Sequence, residues 1–219
     1  MSYGFLHRFL NNQVVICFPF LLVVLTSFYS TSAFSQSNLL DFRMELDNDA
    51  EFTYQNIIYS RSINEGKFLI ESYYLRLPNE EYKELSVGGG YNLYSNKGMT
   101  FYLLGHIAFA SDENYFQPAL LAFKDTGRFT WSIFLLYYAP LGQKGISQWL
   151  IDPFELQYEI SRKFSIGTST YAWKSSMASV YKNGIKIGIL FGSVKNELAV
   201  RYVSPNADIE VQFRALIFF

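Results

Sequence analysis

Histidine is the side chain that most readily moves protons near neutral pH, and beyond the N-terminal segment this chain has one, His106. A hydrolase built on it needs a Ser nucleophile in reach and a third polar group to orient the ring. No Ser stands in a recognisable nucleophile motif. One His cannot form a His-based metal site, and the single Cys excludes a Cys-ligated zinc and an internal disulfide. Glu155 and Glu159 suggest a carboxylate pair, but four residues along a strand separate them by roughly 13 Å, too far for joint work on a glycosidic bond. Gly88-Gly89-Gly90 lacks the Gly-Lys-Ser/Thr that completes a phosphate loop. No cofactor or metal is therefore expected.

What remains is a set of charged and polar side chains in alternation with apolar ones. Arg43, Glu45, Asp47, Glu71, Glu84, His106, Glu155, Gln157, Glu159, Glu210, Gln212 and Arg214 all fall on the polar face of an alternating run. Acids outnumber bases among them. The whole chain balances 18 Lys and Arg against 19 Asp and Glu. That leaves no basic excess for nucleic acid. The aromatic content of 19% and the low net charge also argue against disorder.

These side chains need strands to position them. No sustained 3.6-residue apolar period appears after Leu39; period 2 recurs instead. Leu85, Val87, Gly89, Tyr91 and Leu93 share one face, with Glu84, Ser86, Gly88 and Gly90 on the other. Phe154, Leu156, Tyr158 and Ile160 alternate with Glu155, Gln157 and Glu159, and a last run extends from Ile209 to Phe219. Turn-forming residues interrupt the runs at Asn48-Asp49, Ser62–Gly66, Pro78-Asn79, Ser95–Gly98, Ser111–Asn114, Lys124–Gly127, Ala139–Gln148, Ser161–Lys163, Lys174–Gly184, Ser193–Asn196 and Ser204–Asn206. Eleven breaks predict about twelve strands in one domain.

Residues 1–35 read as a secretory signal peptide: His7 and Arg8, then an apolar stretch from Val14 to Leu25, then small residues ending at Ala33-Phe34-Ser35. Pro19 and the short apolar core argue against a spanning helix. Ile16 before Cys17 argues against a lipoprotein signal. Residues 36–219 are then the exported domain.

Twelve amphipathic strands suit either a soluble barrel or sandwich, apolar inside, or a membrane barrel, apolar outside. Four features favour the membrane. The exported domain has no Cys. The chain ends on Phe219 within an alternating strand carrying Phe213, Ala215 and Ile217. The two longest breaks, Ala139–Gln148 and Lys174–Gly184, fall at the same end. Aromatics gather near strand ends, at Tyr73-Tyr74, Tyr91 and Tyr94, Tyr137-Tyr138, Tyr171 and Trp173, and Phe218-Phe219.

From Leu39 to Phe219 the chain resembles bacterial outer-membrane β-barrels, and in size and strand number it is similar to small twelve-stranded oligosaccharide-specific porins. The opening Leu40-Asp41-Phe42-Arg43-Met44-Glu45 resembles theirs. The resemblance implies passive diffusion of acidic sugars past an arginine-rich wall, and the sequence displays no such wall. It also implies that Phe213, Ala215, Ile217 and Phe219 form the strand recognised by the outer-membrane assembly machinery of a Gram-negative cell. Outer-membrane hydrolases need their His on the lipid face, whereas alternation puts His106 on the polar face with Thr100 and Tyr102.

The sequence thus predicts a closed, all-β, antiparallel transmembrane barrel of about twelve strands, the first paired with the last, in outer-membrane lipid. The expected function is a small porin-like channel for small polar solutes, not an enzyme. Its acidic-leaning lumen would be lined by Arg43, Glu45, Asp47, Glu71, Glu84, His106, Glu155, Glu159, Glu210 and Arg214. A non-conducting structural or interaction barrel and a lipid-modifying enzyme are the alternatives. Inward-pointing Leu104, Leu135 or Leu136, Leu190 and Leu216 predict a partly filled interior.

Overall fold

The computed structural model describes residues 38–49 and 51–219. The signal-peptide reading lies outside the described residues. Twelve antiparallel strands follow in order: β1 (Asn38–Leu46), β2 (Phe52–Ile63), β3 (Phe68–Leu77), β4 (Tyr82–Asn96), β5 (Met99–Ala110) and β6 (Asn114–Asp125), then β7 (Phe129–Pro140), β8 (Gln148–Glu159), β9 (Phe164–Ser175), β10 (Ser179–Phe191), β11 (Val194–Ser204) and β12 (Asp208–Phe218). Each strand pairs with its neighbours in sequence, and β1 closes the barrel on β12 through Leu39↔Phe218 to Leu46↔Val211. Closure leaves no open sheet edge, which a lipid environment demands because nothing there can satisfy unpaired backbone groups.

Turn chemistry falls where the sequence places it, with one correction. The ninth connection is not a long Lys174–Gly184 turn. It is the short segment 176–178, and Ser179 onward is strand β10. Lys, Ser, Asn and Gly lower β-propensity there, but pairing with both neighbours overrides it. The expected asymmetry in turn length therefore rests on the 141–147 connection.

The apolar faces point outward. Leu85, Val87 and Tyr91, whose inward placement would have defined a soluble sandwich, are 49%, 50% and 50% exposed. Their strand neighbours Glu84 and Ser86 are buried. Aliphatics such as Ile107, Ile185, Ile187 and Val200 form an exposed middle band. Aromatics ring it at both ends: Phe68, Tyr94, Phe129 and Phe191 towards the end holding both termini, and Phe52, Phe109, Trp149 and Tyr202 towards the other. An aliphatic belt between aromatic girdles is the surface a bilayer-spanning barrel needs. The girdle differs in membership from the expected one, because Tyr73 and Tyr138 turn inward and are buried.

Inside, Leu104, Leu136 and Leu216 are buried, as the expectation of a partly filled interior required. Leu104 and Leu136 join Tyr102, Tyr115, Ala119 and Tyr138 in an apolar cluster along β5, β6 and β7.

Candidate functional site

The interior has two walls. The first begins at the β1–β12 seam. Alternation turns Asp41, Arg43 and Glu45 of β1 inward, and register places Arg43 opposite Arg214 and Glu45 opposite Gln212. Two guanidinium groups side by side repel each other, and Asp41 holds them together. Its Oδ2 accepts from Arg43 Nη2 at 2.7 Å and from Arg214 Nη2 at 2.8 Å. Arg214 continues to Glu155, with Nη1 3.1 Å from either oxygen. Lys186 joins Glu155 (2.7 Å) to Glu197 (3.2 Å), and Lys195 lies 3.0 Å from Glu197. Higher in the barrel, Lys182 Nζ donates to Glu45 and to Glu210 at 2.7 Å each. Arg201 bridges the same two carboxylates, 2.5 Å from Glu45.

Asp41, Glu45, Asp152, Glu155, Glu197 and Glu210 thus meet Arg43, Lys182, Lys186, Lys195, Arg201 and Arg214, six against six. A buried ion is tolerable when paired and strongly destabilising when its partner is removed, so this balance is a condition of burial. Glycine allows close approach beside this set. A Cβ on Gly184, between Lys182 and Lys186, would lie 2.6 Å from Arg201 Cα. One on Gly188 would lie 2.5 Å from Ser165 Oγ.

The network also crosses the lumen. Arg43 Nη1 on β1 donates to Asp152 Oδ1 on β8 at 3.0 Å, and four strands separate the two around the barrel. From β2, Tyr54 donates its hydroxyl to Asp152 Oδ2 at 2.9 Å. These side chains form a layer across the middle.

The second wall, β2 to β7, is mostly apolar and carries two carboxylates. Among the described residues neither Glu71 nor Glu84 has a Lys or Arg in ion-pair reach. Glu84 instead accepts from Tyr73 (2.6 Å), Tyr82 (2.6 Å) and Gln117 Nε2 (2.7 Å). Glu71 accepts from Ser60 Oγ at 2.9 Å, and His106 Nε2 stands 3.3 Å from its other oxygen. Register explains that approach: Glu71, Gly88 and His106 form one row across β3, β4 and β5. A Cβ on Gly88 would lie 2.5 Å from His106 Cδ2. Gly88 therefore leaves no open space; His106 occupies it.

Below the cross-lumen layer, towards the termini, lies a cavity of about 430 Å³. Glu71, Tyr73 and Tyr102 line one side, and Asp41, Arg43 and Arg214 the other. Above the layer, near Leu136 and Tyr138, a small pocket holds about 30 Å³.

Of the residues singled out from sequence, Arg43, Glu45, Glu155, Glu210 and Arg214 meet in the charged wall. Glu71, Glu84 and His106 sit on the opposite one. Two do not line the lumen. Asp47 belongs to the β1–β2 turn, where Oδ1 accepts from the backbone N–H of Asp49 and Glu51 at 3.0 Å each. Glu159 is exposed at the end of β8. Alternation keeps its phase to the last residue of a strand, but burial does not. Phe213 faces outward on β12 and is 43% exposed, and Phe219 lies past the end of that strand.

Sequence reasoning missed Asp41, Asp152, Lys182, Lys186, Lys195, Glu197 and Arg201. Asp152 and Glu155 differ in parity, yet both face inward because the β8 register shifts between Ile151 and Phe154. Pro153 was the available signal, since proline inside a strand marks a bulge or a break in the ladder. Three Arg and three Lys do line the charged wall, but interleaved with six carboxylates, so no arginine-rich wall stands open. His106 faces the lumen and is 1% exposed, so it forms no Ser–His pair on the lipid side. Among the described residues no cluster of three or more His, Cys, Asp or Glu is placed to hold a metal.

An aliphatic exterior around a charged interior defines a membrane-type β-barrel. The fold has close structural company. A KdgM porin superposes with a TM-score of 0.63 at 14% identity, over 83% of this chain and 99% of that one. A KdgM porin in complex with disordered oligogalacturonate gives 0.62 at 14% over 83% and 99%. The NanC porin gives 0.57 at 12% over 82% and 98%. No protein-family model matches the sequence, and no curated protein matches it.

Proposed function

We propose that this protein is a bacterial outer-membrane channel for small polar solutes, exported behind residues 1–35 and inserted through its C-terminal strand. The observation that carries the reading is an ionised, cavity-bearing lumen inside a closed barrel whose outer surface suits lipid. The shared fold of the KdgM and NanC porins supports it. Glu71 and Glu84 stand outside the six-against-six balance and give the lumen an acidic lean, so the channel favours cations, as acidic linings do. Neither carboxylate lies in the charged wall, so neither is cancelled there.

A second reading, a non-conducting barrel, draws on the Arg43–Asp152 and Tyr54–Asp152 bridges across the middle. Heat-modifiability of the detergent-folded chain, with planar-bilayer recording, separates the two. A faster-migrating unheated band with discrete, cation-favouring currents is the expected result. A shifted band without current favours the closed barrel, and no shift overturns the membrane reading.

A further inference from the structure

We propose that the cavity on the terminal side of the lumen binds a small organic cation, an ammonium or guanidinium group on a compact apolar body, with Glu71 as its counter-ion. The inference deepens the channel reading by naming a solute class, and its test does not depend on conduction.

The cavity, about 430 Å³, falls within the roughly 300–1,000 Å³ of small-molecule sites. Its charges are unequal in availability. Arg43 is held by Asp41 and Asp152, and Arg214 by Asp41, Glu155 and Glu197. Those acids are engaged in turn, so an incoming anion would have to displace a carboxylate from each arginine. Glu71 is different. Its two neighbours are a hydroxyl and an imidazole, and the side chain keeps 10% of its surface open where it lines the cavity. A carboxylate has about four lone-pair sites, so acceptor capacity remains for a ligand N–H.

Aromatic rings flank that carboxylate. Tyr73 follows Glu71 on the inward face of β3, and Tyr102 lies two strands away on β5. Both hydroxyls are already committed, Tyr73 to Glu84 and Tyr102 to the carbonyl of Gly66 at 2.7 Å. The rings are thereby fixed as cavity wall. Phe134 and Leu121 complete the apolar side. A buried carboxylate beside aromatic rings suits an organic cation, through charge-assisted hydrogen bonding and cation–π attraction.

The test uses the folded full barrel in detergent, with 4-fluorobenzylamine as probe and its ¹⁹F line width and shift as readout. Neutral 4-fluorobenzyl alcohol, anionic 4-fluorobenzoate and protein-free micelles serve as controls. Saturable binding of the amine alone is expected. Glu71→Gln should weaken it about tenfold or more, Glu71→Asp should weaken it less, and Asp49→Asn at the far end should leave it unchanged. Heat-modifiability confirms that each variant is folded. Should Glu71→Gln misfold, Glu71→Asp and competition by unlabelled benzylamine still decide. Equal binding of alcohol or benzoate, or undiminished binding to folded Glu71→Gln, overturns the site. Amine binding without current leaves the site standing and removes the channel; current without binding does the reverse.

Discussion

The wall formed by β8–β12 and β1 holds six cations and six anions in a closed set, while the wall formed by β2–β7 holds tyrosines, leucines and two carboxylates with no Lys or Arg partner among the described residues. Both face the same lumen and share the same apolar exterior. In the first wall, each carboxylate is stabilised by full charges that register and bulge deliver to it. In the second, hydroxyl and amide donors take that part: Tyr73, Tyr82 and Gln117 serve Glu84, and Ser60 serves Glu71. The densely charged wall is therefore formally neutral, and the acidic lean proposed above would belong to the wall that reads as apolar. Counting charges along a sequence does not locate a field; pairing does.

Breaking the closed set should have the largest effect. Arg201→Met removes one of the two cations that bridge Glu45 and Glu210 and leaves Lys182 as the other. A loss of about 3–5 kcal/mol is expected, as for a broken buried pair, read by urea unfolding in lipid vesicles. A smaller loss, about 1–3 kcal/mol, is expected for Gly88→Val on the other wall, where the new side chain overpacks His106. Gly105→Ala on the next strand meets only Phe116 at 3.5 Å and should fold normally. Unaffected Gly88→Val would mean that the β4–β5 backbone yields there, since the new Cβ also meets the Gly105 carbonyl oxygen.

Arg43→Gln and Asp152→Asn sharpen the comparison through non-additivity. Each alone strands a buried partner. Together they remove both charges, so the double variant should be less destabilised than the sum of the singles, by about 0.5–3 kcal/mol in a double-mutant cycle. If the channel conducts, the double variant should also carry more current per event. Glu159→Gln should do least, within about 0.5 kcal/mol, with ion preference unchanged. A shift in reversal potential there would return Glu159 to the lumen.

Most of the architecture was legible because alternation, turn residues and closure are local or purely topological. Leu85 and Val87 against Glu84 and Ser86 already carry the inside–outside sense once the membrane is chosen. The charged wall was only half legible. Arg43, Glu45, Glu155, Glu210 and Arg214 follow from unbroken alternation, but Asp152 sits beyond a register shift that changes parity. Lys182 lay hidden in the Lys174–Gly184 stretch, whose Lys, Asn and Gly resemble a turn, and Lys186 lay just past it. Gly184 and Gly188 look like breakers, yet a Cβ would press on the Val200–Arg201 backbone at Gly184 and on Ser165 Oγ at Gly188. The Glu71–His106 approach needs three strands in register, which no single run of sequence displays.

The seam between β1 and β12 has a consequence in time. Its ion pairs and hydrogen bonds join residues far apart along the chain: Arg214 with Asp41 across 173 positions, Gln212 with Glu45 across 167, Lys182 with Glu45 across 137. Contacts of such separation come late, because the intervening chain must first be ordered. Until the last strand docks on the first, the inward charges of β1 have no partners from β10 or β12, and an open sheet would present them unmatched. The ionic seam therefore acts as a latch that only a complete barrel can fasten. It makes the half-closed state costly and the closed one all-or-none.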